Sequence, residues 1–157
     1  MNCFVKSAFL ATLAMAAHTA TAADVTIGLQ LEPPHLDPTS AAAGAIDQVL
    51  YSNVFEGLTR FGPDGSVNAG LAESWDISAD GCIYTFKLRS GVKFHDGTDL
   101  DSTDVVFTLD RAREEDSTNA QKALFANIDK VEAKDASNVV VTLKKPQGSF
   151  LFNMAWG

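Results

Sequence analysis

The sequence contains few cysteines, few histidines and few basic residues. Its 157 residues include 2 Cys, 3 His and 12 Lys+Arg against 20 Asp+Glu, which gives a formal net charge of −8. Nucleic acids and anionic lipid surfaces are bound through basic patches. We therefore expect neither of them as a partner of this protein.

A long apolar run occurs at the N-terminus, where it is typical of a signal peptide. Met1–Lys6 carries one positive charge, Ser7–Ala17 is apolar but too short to span a bilayer, and Ala20–Ala22 has the A-x-A pattern of a cleavage site. Residues 1–22 are therefore predicted to be a signal peptide, and the mature protein to be soluble in the periplasm. The alternative is a buried N-terminal helix.

Cleavage after residue 22 removes Lys6 and Cys3. The mature chain then carries 11 basic and 20 acidic side chains, a net charge of −9 (11 − 20). Cys3 precedes the apolar run, so lipid attachment at the cleavage point is not expected. Cys82 remains alone, cannot form an internal disulfide, and is interpreted as a small core residue.

The residues needed for hydrolytic catalysis are scarce. No Gly-x-Ser-x-Gly elbow occurs, and His35 and His95 are the imidazole bases of the mature chain. His95 stands beside Asp96 and before Gly97, a pattern typical of a turn whose side chains bond backbone groups. We predict that the protein is not an enzyme. An exported hydrolase that uses His95 and Asp96 is the alternative.

Metal and cofactor sites are also poorly supported. Glu32, His35 and Asp37 are close in sequence, but prolines at 33, 34 and 38 stiffen this loop, and no His pair has i,i+4 spacing. No Gly-x-x-x-x-Gly-Lys loop is present to hold a phosphate. We predict no bound metal and no cofactor.

Hydrophobic periodicity predicts a mixture of helices and antiparallel strands, an α+β arrangement. Residues 25–31 alternate and predict a strand. Apolar residues from Ala45 recur at helical spacing and predict a helix that ends near Gly57. Asp101 and Asp104 resemble a capping box and predict the start of a second helix. Turn-forming residues predict three hairpins, centred on residues 62–65, 78–81 and 135–137.

Four motifs follow one another within 45 residues of the chain. They are AGLAESW (69–75), DGCIYTFKLR (80–89), GVKFHDG (91–97) and DVVFTLDR (104–111). This succession resembles the extracellular solute-binding proteins of family 5, the peptide- and nickel-binding components of bacterial ABC importers. The resemblance extends from about residue 25 to the end of the chain. In that family, the His-Asp-Gly of residues 95–97 lies at a turn without catalytic function.

The resemblance implies a fold of the type II periplasmic binding protein class, of α+β / α/β composition. Two lobes joined by a hinge close around the solute, and an α/β domain is inserted near the N-terminus. Residues 23–44 would then begin the first lobe, and residues 45–157 would form most of the inserted domain. The implied partners are a peptide or other small solute, and the ABC permease and ATPase of the inner membrane.

The resemblance also implies which segments approach the solute. One contains Ala41, Ala42, Ala43 and Gly44, whose backbone can pair with an extended peptide by strand addition. The other is residues 117–121, which contain Asn119. The nature of the solute stays open among dipeptides, oligopeptides, nickel chelates, haem and glycans.

The chain ends in an apolar segment, residues 150–157. An exposed patch containing Phe150, Phe152 and Trp156 would be a liability in a finished protein. The sequence is therefore interpreted as the N-terminal fragment of a longer binding protein, which by itself binds no solute with useful affinity. A non-functional truncated remnant is the alternative.

Overall fold

A computed structural model describes residues 24–41, 43–51 and 53–156. The predicted signal peptide lies outside this range. None of the helices within it is long and apolar enough to cross a membrane. The elements are α1 (Gly44–Leu50), β1 (Thr59–Phe61), β2 (Val67–Ala69), β3 (Ala72–Ile77), β4 (Ile83–Leu88), α2 (Ser102–Arg113), a 3₁₀ helix (Lys122–Phe125), β5 (Ile128–Asp135), β6 (Asn138–Leu143) and α3 (Phe150–Asn153).

The centre of the fold is a four-stranded antiparallel sheet in the order β3-β4-β6-β5. Strand β4 buries Tyr84, Phe86 and Leu88 and turns the intervening residues away from the core, as alternation requires. Strand β6 does the same with Val139 and Val141. These residues form one apolar cluster with the buried side of α2. The three predicted hairpins are confirmed, as is the mixed α/β composition.

Helix α2 begins where the sequence predicts. The Asp101 carboxylate accepts a hydrogen bond from the Thr103 N–H at 2.7 Å, and the Asp104 carboxylate accepts one from the Asp101 N–H at 2.8 Å. This reciprocal pair is a capping box with Asp in place of Glu. Val105, Leu109 and the other buried residues of the helix lie at 3–4 residue spacing and pack on the sheet.

The strand predicted at residues 25–31 is wrong. This segment has no regular secondary structure, and Val25 and Ile27 are 80% and 78% exposed. A strand is stable only when a neighbouring strand satisfies its N–H and C=O groups. None of the described residues provides that neighbour, so residues 25–31 do not form a strand despite their alternating pattern.

The first helix is shorter than predicted, since it ends at Leu50 instead of near Gly57. Tyr51 adopts an extended conformation, with φ −69° and ψ 133°. The N–H groups of Val54 and Phe55 both donate to the Leu50 carbonyl, and the Asn53 side chain donates to the Val49 carbonyl at 3.2 Å. Asn side chains that bond backbone carbonyls compete with helix continuation, which explains the early end.

The C-terminal apolar segment is exposed only in part. The prediction that Phe150 belongs to an exposed patch is wrong. Phe150 is 1% exposed, and its ring centroid lies 4.6 Å from that of Tyr84. Helix α3 is fixed to β1, because the Thr59 hydroxyl donates to the Leu151 carbonyl at 2.6 Å. Phe152 is 44% exposed, as predicted. The segment therefore completes the core and leaves one side uncovered.

Six aspartates organise the loops in the same way. In each, a side-chain oxygen accepts the N–H of the residue two positions later, the geometry of an Asx turn. They are Asp37, Asp64, Asp80, Asp96, Asp101 and Asp135. In five of them, Asp37, Asp64, Asp80, Asp96 and Asp101, hydrogen bonds from a Ser or Thr hydroxyl and from backbone N–H groups lower the pKa of the carboxyl group. In the sixth, the Ser137 N–H and the Asn138 side chain lower the pKa of Asp135.

These turns predict a loss of stability in acid. Because each folded-state pKa lies below the ordinary value of 3.8, the six carboxylates contribute stability at neutral pH. That stability is lost as the pH falls through the folded-state pKa values. We expect the urea midpoint to be nearly constant from about pH 7 to pH 5 and to decrease below about pH 4. A midpoint that rises on acidification would contradict this account of the loops.

Candidate functional site

The two segments predicted to approach the solute lie next to each other. The Ala120 N–H donates to the Thr39 carbonyl at 2.9 Å, which joins the 117–121 segment to the loop that leads into α1. Ala41 and Ala43 are half-buried and Gly44 is exposed, while Ala42 lies outside the described residues. Residues separated by about 80 positions in the sequence therefore meet at one place.

The loop before Ala41 is held by its own side chains. The Asp37 carboxylate accepts bonds from the Thr39 hydroxyl at 2.7 Å and from the Thr39 N–H at 2.8 Å, and both bonds lower the pKa of Asp37. The His35 ring accepts the Asp37 N–H at 3.2 Å. His35 and Asp37 thus shape the loop. Within the part of the chain that the structure describes, no group of three His, Cys, Asp or Glu side chains could hold a metal ion.

Ala43 presents extended backbone at the start of α1. Its φ of −93° and ψ of 118° are those of a strand, and its carbonyl accepts the Ile46 N–H at 2.8 Å. No backbone hydrogen bond from the Ala43 N–H to another described residue is present. Ala43 therefore combines a small side chain and extended backbone with an N–H that has no backbone acceptor among the described residues.

Asn119 forms the turn that precedes the 3₁₀ helix. Its side-chain oxygen accepts the Gln121 N–H at 2.8 Å, and its own N–H donates to the Ser117 hydroxyl at 3.3 Å. Among the described residues, none accepts a hydrogen bond from the Asn119 side-chain nitrogen. The amide is half-buried and keeps its donor available.

Two residues of this region, Tyr51 and Trp156, were not predicted from the sequence to lie beside the 117–121 segment. The Gln121 side chain donates to the Tyr51 hydroxyl at 3.3 Å, and the rings of Tyr51 and Trp156 meet edge to face with centroids 5.4 Å apart. Residue 51 falls within the predicted helix, and Trp156 falls within the terminal apolar run. No local pattern relates residues 51, 121 and 156, because only the folded chain brings them together.

A cavity of about 580 Å³ opens beside the loop. Its lining is mainly apolar and includes Phe125, Met154 and Trp156, together with Thr39 and His95. Cavities of this size and composition are typical of small-molecule sites. The loop residue Thr39 therefore borders both the cavity and the contact with Ala120.

The His95-Asp96-Gly97 segment has the geometry of a turn. The Asp96 carboxylate accepts the Thr98 hydroxyl at 2.7 Å and the Thr98 N–H at 2.9 Å, which lowers the pKa of Asp96. Gly97 has a φ of +88°, which closes the turn. His95 is exposed at the cavity edge and bonds no Ser, Thr or Cys hydroxyl or thiol among the described residues. At His95, therefore, the described residues do not assemble the base and nucleophile of a hydrolase.

Comparison with known proteins gives the family. The sequence profile described as "Bacterial extracellular solute-binding proteins, family 5 Middle" matches residues 66–155, more than half of the chain. This chain belongs to that family. The relatives are solute-binding proteins and not enzymes, which confirms the prediction that the protein is not an enzyme.

Individual relatives agree with this assignment. The glutathione-binding protein GsiB of Pectobacterium atrosepticum is 40% identical over 145 residues, which are 92% of this chain and 28% of that protein. Among solved structures, NikZ from Campylobacter jejuni in complex with Ni(L-His) has a TM-score of 0.72 and 33% identity. The match covers 81% of this chain and 25% of the NikZ chain. MppA, a periplasmic murein tripeptide binding protein in an unliganded open form, has a TM-score of 0.74 and 28% identity, with coverages of 82% and 28%.

The comparisons bear on the predicted fold and on how much of the relatives this chain spans. The predicted fold of the periplasmic binding protein class is confirmed, because the matching structures have that fold. The chain spans about a quarter of the length of the relatives it matches.

Proposed function

We propose that this chain belongs to the substrate-binding component of an ABC importer, and that it captures a small peptide or a related solute. The observation that carries the proposal is the contact between the Thr39–Gly44 loop and the 117–121 segment, beside an apolar cavity, in a chain of this family. These are the two segments that the resemblance assigns to the solute.

The contacts suggest how a solute is held. The extended backbone at Ala43 can exchange hydrogen bonds with an extended peptide, as in strand addition. The Asn119 amide supplies a further donor from the segment that bonds the same loop through Ala120 and Thr39. Closure of a second lobe would add contacts on the other side of the solute, and stronger binding to the closed state would shift the protein toward it.

The relatives support a short peptide as the solute. GsiB is named for glutathione, which is itself a tripeptide, and MppA is named for a murein tripeptide. The similarity to NikZ keeps a nickel chelate among the solutes to be tested. A tripeptide of about the size of glutathione is the form of the proposal that we favour.

Export and delivery complete the proposal. Residues 1–22 would direct the protein to the periplasm, where it would pass the solute to an inner-membrane permease driven by an ATPase. The description of the family as extracellular supports this location. Residues 23–44 would begin the first lobe and residues 45–157 would belong to the inserted domain. In support, the regular elements and the buried core of the described residues begin at Gly44 and Ala45.

Replacement of Asn119 by alanine tests the role of the 117–121 segment. We expect the affinity of the intact protein for its solute to fall about tenfold, because one hydrogen bond to the solute is lost. Isothermal titration calorimetry with glutathione, a murein tripeptide and Ni(L-His) would measure it. Asn68→Ala is the matched control, since Asn68 is exposed in the β1–β2 hairpin and its side chain bonds only Ser66 among the described residues. Equal affinities for the two variants would contradict the assignment.

A further inference from the structure

The carboxylate of Asp47 has a buried oxygen without a partner. Asp47 Oδ1 is inaccessible to solvent and has no hydrogen bond within the described part of the chain. The ion pairs found there join other residues and do not include Asp47. A buried carboxylate oxygen costs free energy unless it is protonated or meets a donor. Burial accordingly raises the pKa of Asp47.

Two aromatic side chains lie at the C-terminal end of α1, the helix that carries Asp47. Tyr51 follows Asp47 by one helical turn, and its N–H donates to the Asp47 carbonyl at 3.0 Å. Burial and the negative charge of Asp47 raise the pKa of Tyr51, whose hydroxyl is neutral at physiological pH with or without this shift. Trp156 contacts the Tyr51 ring edge to face at 5.4 Å, and both rings are only partly covered by protein.

We propose that Asp47, Tyr51 and Trp156 form a recognition site for a positively charged nitrogen donor, an ammonium or guanidinium group. A carboxylate and aromatic rings are the groups that attract such a cation, the first by charge and hydrogen bonding and the second through the negative ring face. Gln121 fixes the Tyr51 hydroxyl at 3.3 Å and belongs to the segment that contains Asn119. The cation site therefore adjoins the proposed solute site.

The cation has two possible sources. One is the solute, because an unmodified peptide such as glutathione carries an ammonium group; this source rests on the proposed function. The other is a lysine or arginine side chain of the same protein. The two sources predict different results for Asp47→Asn, which keeps the shape of the side chain and removes its charge.

Calorimetry with the intact protein distinguishes the two sources of the cation. The probes are glutathione and N-acetylglutathione, which differ in the ammonium group. If the solute supplies the cation, Asp47→Asn weakens glutathione binding about 10- to 100-fold and leaves the affinity for N-acetylglutathione unchanged. Asp76→Asn, a change of an exposed carboxylate on the sheet, should leave both affinities unchanged. Tyr51→Phe should weaken glutathione binding by a smaller factor.

Thermal unfolding without solute gives the second readout. If a side chain of the protein supplies the cation, Asp47→Asn lowers the melting temperature by several degrees, whereas Asp76→Asn does not. The proposal is overturned if Asp47→Asn has wild-type affinity for both probes and an unchanged or raised melting temperature. If the wild-type protein binds neither probe, the solute source and the peptide form of the proposed function fail together. In that case the melting temperature alone decides, and an unchanged or raised value overturns the cation site.

Discussion

Phe86→Ala is expected to lower the free energy of unfolding by about 3–5 kcal/mol. Phe86 is 0% exposed, and it lies on β4 at the centre of the sheet. Its ring centroid is 6.3 Å from those of Trp75, Tyr84 and Phe150, so its removal leaves a cavity bordered by three aromatic rings. Because these partners come from three different elements, the cavity cannot collapse by the movement of one side chain.

Urea unfolding of the intact protein, followed by tryptophan fluorescence, would measure this effect. Trp75 touches Phe86 directly and reports on the same cluster. The matched control is Phe107→Ala on α2, since Phe107 is 65% exposed and its truncation should cost less than about 1 kcal/mol. Similar losses of unfolding free energy for Phe86→Ala and Phe107→Ala would show that β4 is not the centre of the core.

The second large loss of stability is expected when Gly70 is replaced by a residue with a Cβ atom. A Cβ atom at this position would lie 2.5 Å from the Gly57 carbonyl oxygen and 2.9 Å from that of Thr59. Both neighbours are backbone atoms of the segment that enters β1, so neither can move aside as a side chain would. The Gly70 N–H also donates to the Leu58 carbonyl at 3.2 Å, which fixes the close approach.

We therefore expect Gly70→Ala to destabilise the protein by about 2–3 kcal/mol, through overpacking instead of cavity formation. Gly148→Ala is the control, because a Cβ there meets no atom within 4 Å. Urea midpoints of the two variants give the comparison. A Gly70→Ala protein as stable as the Gly148→Ala protein would contradict the observed contact of the two backbone segments.

The parts of the fold that were predicted correctly are those governed by local chemistry. The alternation of residues 83–88 indicates strand β4 because one face is buried and the other is not. The capping box at Asp101 and Asp104 marks the start of α2 within a few residues. The turn signals at residues 62–65, 78–81 and 135–137 act through their own side chains and glycines. Each of these signals is complete within about ten residues.

The errors concern features that depend on distant parts of the chain. The pattern at residues 25–31 is that of a strand, but a pattern does not provide the neighbouring strand. The apolar side chain of Phe150 is buried because Tyr84 and Phe86 lie above it, which the terminal segment alone does not reveal. The site shows the same limit. The contact of Thr39 with Ala120, and that of Tyr51 with Gln121 and Trp156, arise only on folding.

We propose above that the protein binds a small solute and does not transform it. Calorimetric titration of the intact protein with glutathione, a murein tripeptide and Ni(L-His), followed by mass spectrometry of the recovered solute, tests it most directly. The account predicts that one of them binds with a Kd of about 1 μM or below, near −8 kcal/mol, and is recovered unchanged. Binding of none of the three, or recovery of a chemically altered solute, would contradict it.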